Sequence, residues 1–334
     1  MGRAACVGSA FLSRGSWSLE PATDAAGPLA CRLRRRAHYS CVNVSVVRWS
    51  SGTPHCGGRP PPLLGTHTGN RTLWIMGDST SYEVFVEAGC RLEAEADVSI
   101  EWRSPRWAWP TTQPDARTGR SHTCGVATSR RAAAQLMLCF VPAGGTGRYH
   151  RDGRAYIYAY QALRRLVELN LTSANDVALV NEGAWLAADD EPRFHFLAAS
   201  LVAAVAAGDR ARWPRVLYRE CFAQHFPTEG GAYGIANRSD WDDWVTCPPL
   251  AEGVQKPRAL RNVSATLRHG GRRHVEVLDA WELTRPLAAS HPGRSSRVVA
   301  TAGNVSASAA LDCTHYCTWG GVNAALLDAV AWDM

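Results

Sequence analysis

Lysine is almost missing from this chain: Lys256 is the only one in 334 residues. Neither a Walker-type phosphate loop nor an S-x-x-K nucleophile system is built around it, so those two chemistries are excluded. The net charge of +6 rests on arginine instead. The densest basic run, Arg32–Arg36, has no interleaved aromatic platform. It reads as a solvated face, and no nucleic-acid partner is expected. Long apolar runs are lacking too. The longest, Phe194–Ala207, is about 14 residues and contains His195, which suits a core helix and not a membrane span. Residues 1–30 hold no extended apolar segment of the kind a leader needs; Ala4–Leu12 is short and broken by Gly8 and Ser9. G-x-S-x-G, H-E-x-x-H, internal repeats and heptads are all absent.

Cysteine, by contrast, is abundant. Eleven cysteines exceed what a reduced cytosolic enzyme of this size usually carries, and the odd number leaves at least one unpaired within a monomer. Of nine asparagines, six begin an N-x-[ST] sequon: Asn43, Asn70, Asn170, Asn237, Asn262 and Asn304. Chance alone would give roughly one. Both features imply the secretory pathway, either the Golgi lumen or the extracellular side. A leader or signal anchor is then expected upstream of Met1, and any membrane tether would run through that segment.

Hydrophobic content of 46% and charged content of 20% are those of a globular protein. Residues 1–70 are loop-rich and cysteine-rich, and read as a disulfide-stapled amino-terminal lobe. Residues 71–334 alternate strands with helices. Thr72–Met76, Gln135–Val141, Asp176–Asn181, Arg215–Arg219 and His274–Leu278 are predicted strands. Ser81–Cys90, Ala155–Leu169, Pro192–Ala207 and Val322–Ala331 are predicted helices. The pattern implies an α/β fold, an open parallel sheet with helices on both faces. Chemistry then gathers outside the carboxyl ends of the strands, where Gly77–Ser79, Asn181–Gly183 and Arg219 fall.

Two short segments carry candidate chemistry. Gly77-Asp78-Ser79 follows a strand and precedes a helix, where a serine hydroxyl stands exposed and its N–H lies at the positive helix end. The tripeptide alone serves equally as a turn followed by a helix whose N-cap is Ser79, and Asp78 reads as a turn residue. Near the carboxyl terminus runs Asp312-Cys313-Thr314-His315-Tyr316-Cys317. A serine needs a base to take its proton, and the base needs a group to hold its tautomer. Asp312, three residues before His315, can do so and leave Nε2 for the serine. Cys313, His315 and Cys317 also compose a rival zinc set, but their strict alternation is not a structural-zinc spacing; no metal is expected. Gly144–Gly147 lacks a dinucleotide fingerprint and reads as a connection.

Taken together, these segments resemble the trichome birefringence-like polysaccharide O-acetyltransferases and their PC-esterase relatives, within the GDSL/SGNH hydrolases. Leu73–Cys90 resembles the nucleophile block. Asp176–Trp185 is similar to the Asn-x-Gly-x-Trp block, and Arg219 with His225-Phe226 and Cys247 to an Arg…His-Phe…Cys segment. Val277-Leu278-Asp279, His291-Pro292 and Asp312–Cys317 follow in the family's order. Upstream, Cys6, Gly15-Ser16-Trp17, Cys31, Cys41, Arg48-Trp49 and Cys56 resemble its amino-terminal cysteine module.

The resemblance implies an SGNH-like fold with Ser79 as nucleophile, His315 as base and Asp312 as its orienter. Ser79, Asn181 and Gly183 would bind the oxyanion, and Arg219, His225 and Trp185 the substrate. It also implies disulfides Cys6–Cys56, Cys31–Cys90, Cys41–Cys317 and Cys247–Cys313, with Cys124–Cys139 as a fifth pair and Cys221 left over. The implied activity is acyl transfer, of an acetyl group, onto glycan hydroxyls. No cofactor would be bound; acetyl-CoA or another acetyl carrier would be co-substrate. An esterase of the same fold and a non-catalytic glycan-binding wall protein are the alternatives. Departures lie around the core: Tyr82-Glu83 stand where the plant members carry Arg-Asn, Ala184 where they carry histidine, and Glu220-Cys221 where they carry small hydroxyl residues. On the residues alone, Arg219 reads equally as a buried ion pair and His225 as a packed structural residue. Trp102, Trp107, Trp109, Trp241 and Trp244 divide between sugar platforms and core.

Overall fold

The computed structural model describes residues 12, 15–20, 46–51, 61–64, 69–95, 97–103, 105, 123–129, 134–143, 158–182, 191–232, 244–270, 275–294, 297–301, 304–308, 311–316 and 321–334. Most of the predicted amino-terminal lobe lies outside them, as do Gly183, Trp185, Cys6, Cys31, Cys41, Cys56 and Cys317.

Two strands precede the main sheet, β1 (Gly15–Glu20) and β2 (Val46–Ser51), and they pair antiparallel. Seven strands form the central sheet: β3 (Gly69–Gly77), β4 (Val98–Arg103), β5 (Thr123–Ser129), β6 (Ala134–Pro142), β7 (Val177–Val180), β8 (Arg215–Arg219) and β9 (Val275–Leu278). Their order is β4-β5-β6-β3-β7-β8-β9. Strands β6, β3, β7, β8 and β9 are mutually parallel. The β4 and β5 edge is antiparallel, which corrects the expectation of an all-parallel sheet. Its burial explains why the sequence did not betray it. Strand β4 alternates between half-buried and exposed, with Glu101 and Arg103 outward, so it lacks the continuous apolar run of a central strand.

Alternation along the strands divides the core into two layers. Leu73 and Ile75 of β3 face a cluster with Phe85, Phe140, Leu179, Leu217 and Leu326. Trp74 and Met76 face the other side, with Leu163, Val180, Leu201, Val216 and Leu267. Each layer is closed by helices. The first carries α1 (Ser79–Ala94), and the second α2 (Ala159–Glu168), α3 (Glu191–Ala207) and α4 (Arg258–Gly270). A short α5 (Ala280–Thr284) and the final α6 (Val322–Asp333) complete the first layer. No helix among the described residues is long and apolar enough to cross a membrane.

This winding has a consequence for position. The chain leaves β3 through α1 on one face and returns to β6 on one side of β3. It then leaves β6 through α2 on the opposite face and returns to β7 on the other side. The carboxyl end of β3 is therefore the switch point, where an open α/β sheet presents a crevice. Gly77 ends that strand with φ 151°. A Cβ there would lie 2.2 Å from Ser81 Oγ and 2.9 Å from the Asn181 carbonyl, so only glycine lets the chain turn so tightly into α1.

The amino-terminal strands share this core. Trp17 packs edge-on against Trp49 at 5.1 Å, both lie against the first layer, and Trp17 Nε1 donates to the Leu283 carbonyl at 2.8 Å. Cys124 and Cys139 face one another across β5 and β6 and are joined by a disulfide, as expected. Cys247–Cys313 is formed, Cys90 is disulfide-bonded too, and Cys221 is a buried thiol. Such bonds fit an oxidising compartment. Asn70 and Asn170, each beginning a sequon, are exposed.

One buried carboxyl organises α2. Glu182, at the carboxyl end of β7, accepts from the Ala159 N–H at 3.0 Å and the Tyr160 N–H at 2.9 Å. Burial pushes its pKa from 4.5 to about 7, with the two backbone donors pulling the other way. The native state thus binds more protons here than the unfolded chain. Its stabilisation is complete below the unfolded value and is lost as pH rises through the folded one. Relative to Glu182→Gln, the wild type should lose stability between pH 4.5 and about 7, measured by urea unfolding across that range.

Candidate active site

Helix α1 begins at Ser79 because Asp78 caps it. The Asp78 carboxylate accepts from the Thr80 N–H at 2.9 Å and the Thr80 hydroxyl at 2.7 Å. Asp78 is therefore the N-cap, which corrects the reading that gave the cap to Ser79: its carboxylate reaches the free N–H of the first turn and the serine lies inside the helix. Ser79 stands in the first helical position, where the N–H has no acceptor within the helix. Its Oγ lies 2.7 Å from His315 Nε2, although 236 residues separate the two. His315 Nδ1 lies 2.9 Å from Asp312 Oδ2 and 3.1 Å from Oδ1. A serine, an imidazole and a carboxylate are thus in line, with Ser79 and His315 each only 6% exposed.

The turn holding the acid and base is tied from several sides. Asp312 Oδ1 accepts from the Thr314 N–H at 3.2 Å and the His315 N–H at 3.1 Å, which closes the turn on its own carboxylate. Asp312 belongs to β13 (Leu311–Asp312), paired antiparallel with β10 (Gly293–Arg294). Between those two strands in the chain lie β11 (Arg297–Thr301) and β12 (Asn304–Ser308), themselves an antiparallel pair. Gly293 has φ 63° and backs so closely onto the Val245 carbonyl that a Cβ would come within 2.6 Å. The Cys247–Cys313 bond pins the turn to the same segment. With Cys313 in a disulfide, it is no thiolate, and the rival zinc set loses a ligand.

The segment after β8 forms the seat of this turn. The His225 N–H donates to the Cys313 carbonyl at 3.1 Å. Gln224 Nε2 donates to Thr314 Oγ1 at 3.0 Å, and the Tyr316 hydroxyl to the Ala223 carbonyl at 2.8 Å. Burial by itself disfavours charge on Asp312. The positive charge of His315, its side-chain hydrogen bond and the backbone donors win, and hold the carboxyl well below the usual carboxylate range. With the folded pKa below the unfolded one, the native state binds fewer protons. This stabilisation is complete above the ordinary aspartate pKa and drains away as pH falls through the folded value. Asp312→Asn should therefore flatten the acid side of the stability–pH curve, as urea unfolding at stepped pH would show.

Three residues expected to meet substrate or oxyanion have other positions. Arg219 is wholly buried under the start of α1. Its Nη2 donates to Thr80 Oγ1 at 2.8 Å and Ser81 Oγ at 2.9 Å, and its Cζ lies 4.4 Å above the Phe222 ring. Burial pulls its pKa down; Asp78 is the leading charge that opposes this, and Glu83 also contributes. Among the described residues it supports the start of α1 through hydroxyls and an aromatic ring, and not through the carboxylate partner of a buried ion pair. His225 is likewise buried, with its ring held by Arg285 and His291. The Asn181 side-chain amide donates to the Arg219 carbonyl at 2.9 Å and faces Cys221 Sγ at 3.9 Å. Its two amide protons are thus directed at the end of β8. Trp102 is half-buried and packs edge-on against Phe85 at 5.6 Å at the margin of the core, whereas Trp244 is 40% exposed.

Sequence reasoning passed over Thr80, Ser81, Gln224, His291 and Tyr316 as site residues. A run of three hydroxyl residues opening an apolar helix was a usable signal for the first two, since exposed hydroxyls need not cluster there. Among the described residues no group of histidine, cysteine or carboxylate side chains forms a metal site. No family model matches the chain, and neither does any curated protein.

Proposed function

We propose that the protein is an SGNH-type serine acyltransferase that moves an acyl group, an acetyl group in our reading, onto a glycan hydroxyl. The observation that carries this is the Ser79–His315–Asp312 chain of hydrogen bonds at the carboxyl end of β3. The ordered resemblance of the flanking motifs to polysaccharide O-acetyltransferases supports the substrate class. Sequons and disulfides support a secretory location, the Golgi lumen or the extracellular side.

In the first half-reaction Ser79 Oγ attacks the acyl carbon while His315 Nε2 takes the hydroxyl proton. Asp312 stays ionised and compensates the imidazolium. The Ser79 N–H, at the positive end of α1, faces the oxygen on which charge develops. Collapse expels the carrier group, which receives the proton from His315, and leaves acyl-Ser79. A sugar hydroxyl then gives its proton to His315 and forms the new ester, and Ser79 leaves with that proton.

The test is mass spectrometry of the Ser79 peptide after incubation with acetyl donors, followed by product analysis with a soluble oligosaccharide. An acetyl mass on Ser79 and an acetylated sugar are expected. Free acetate alone would mean that water resolves the acyl-enzyme and the protein is an esterase. No reaction of Ser79 with a fluorophosphonate probe would make it a non-catalytic binding protein.

A further inference from the structure

Directly behind the catalytic turn, two buried histidines face one another. His225 Nδ1 and His291 Nε2 are 2.7 Å apart. The outer nitrogens both meet backbone carbonyls: His225 Nε2 lies 2.8 Å from the Arg285 oxygen, and His291 Nδ1 lies 2.6 Å from the oxygen of His315 itself. A carbonyl only accepts, so each outer nitrogen must carry a hydrogen. A neutral imidazole has one N–H, and its other nitrogen is a bare lone pair. Two neutral rings would therefore set two lone pairs against each other at 2.7 Å, which is repulsive.

Among the described residues no neighbour supplies the missing hydrogen. The Tyr316 hydroxyl is 3.5 Å from His225 Nδ1, but its single proton goes to the Ala223 carbonyl at 2.8 Å. The remaining solution is one more proton on the pair. We propose that His225 and His291 hold three protons between them, one shared in the Nδ1–Nε2 contact, and that this singly charged pair positions His315 by gripping its carbonyl. The positioning half rests on the acyl-transfer reading; the proton count does not.

The surroundings pull in both directions. Burial pulls the pKa of both rings down, that of His291 to about 3 with charge on His225 or His315 adding to the effect, so the third proton rests on the geometry of the 2.7 Å contact. The Asp312 carboxylate favours it, as do the two carbonyls. Tyr316 packs its ring 4.1 Å from His291 and contributes no charge, since burial keeps its phenol protonated. From the segment beyond α5, Arg285 presents its carbonyl, while its guanidinium lies 3.7 Å from Glu282. The clamp is then complete only while the third proton is bound. As pH rises and that proton leaves, one of the three contacts must open and the grip on His315 loosens.

The experiment is nitrogen-15 histidine NMR on the whole chain, read against Ser79 labelling rates with a fluorophosphonate. The pair should show hydrogens on His225 Nε2 and His291 Nδ1 and a third, far-downfield proton coupled to the two inner nitrogens. That signal should vanish in His225→Gln and in His291→Asn. Two neutral rings at every pH where the protein is folded would overturn the proton count. Labelling of the wild type should follow a bell against pH, with an alkaline limb that His291→Asn loses. His291→Phe, which keeps ring bulk without a donor, should label about 10- to 100-fold more slowly, and His291→Asn, which restores a donor, should recover most of the loss. Equal rates in all three would overturn the positioning role, and if His291→Phe does not fold, His291→Asn and the limb decide it. If Ser79 of the wild type does not label at all, the acyl-transfer reading and the positioning role fall while the NMR count stands by itself.

Discussion

Alanine at position 79 should leave acyl transfer roughly 10,000-fold or more below wild type while the protein unfolds at an unchanged urea midpoint. The two halves of that expectation have separate causes. Oγ is the atom in line with His315 Nε2, and no other hydroxyl in the described site has that contact. In the proposed mechanism its removal takes away the group that bonds to the acyl carbon. Stability is little affected because Ser79 does not cap its helix; Asp78 does. Alanine is also the best helix former, so a substitution at the first helical position should stay within about 0.5 kcal/mol. Members of such a triad act as a unit, so adding Asp312→Asn to Ser79→Ala should cost little further rate. Burst kinetics with a chromogenic acyl ester, run beside urea unfolding, check both halves. A burst that survives in the alanine variant would remove Ser79 from the mechanism.

Arg219→Met should be the most damaging change to stability, about 3–5 kcal/mol. The guanidinium is fully buried, so it persists only because partners surround it. It gives hydrogen bonds to Thr80 and Ser81 and a positive field to Asp78 and Glu83. Methionine fills comparable space but takes the donors from two hydroxyls and the field from two acids. Because these groups open α1, the position of Ser79 suffers together with stability. Arg219→Lys keeps the charge without the planar fork that meets two hydroxyls at once, and an intermediate loss is expected. Urea unfolding measures both variants. A loss below about 1 kcal/mol in Arg219→Met would show that the buried guanidinium is not what supports the helix.

The Ser79–His315–Asp312 arrangement was legible because its signals are local. Gly77-Asp78-Ser79 lies at one strand–helix junction, and Asp312 and His315 sit three residues apart on one turn. Periodicity located β3, β6, β7, β8, β9 and most of α1, because strands buried on both faces and helices packed on one carry strong apolar patterns. Strand β4 escaped for the opposite reason. A half-exposed edge strand mixes Glu101 and Arg103 with apolar residues and sends no such signal. Helix α4 escaped as well, since Arg258–Gly270 is mostly polar and buries only one stripe, with Leu260, Val263 and Leu267 among its residues.

What the sequence determined by itself is the set of chemical parts and their order: one serine after a strand, one aspartate–histidine turn with cysteines beside it, and sequons that agree with an oxidising secretory environment. These depend on residue type and short spacing, which the chain carries without folding. Only the tertiary structure decided what each polar residue faces. Arg219 and Asn181 at strand ends, and His225 through the family resemblance, were expected to meet substrate or oxyanion. Folding instead turned them inward, onto Thr80 and Ser81, onto the end of β8, and onto His291. The physical reason is that a buried polar group must find a partner, and its partners here lie from 38 to 139 residues away along the chain. No spacing rule reaches that far. The three-dimensional arrangement alone brought His225 and His291 together behind the base that the sequence had already named.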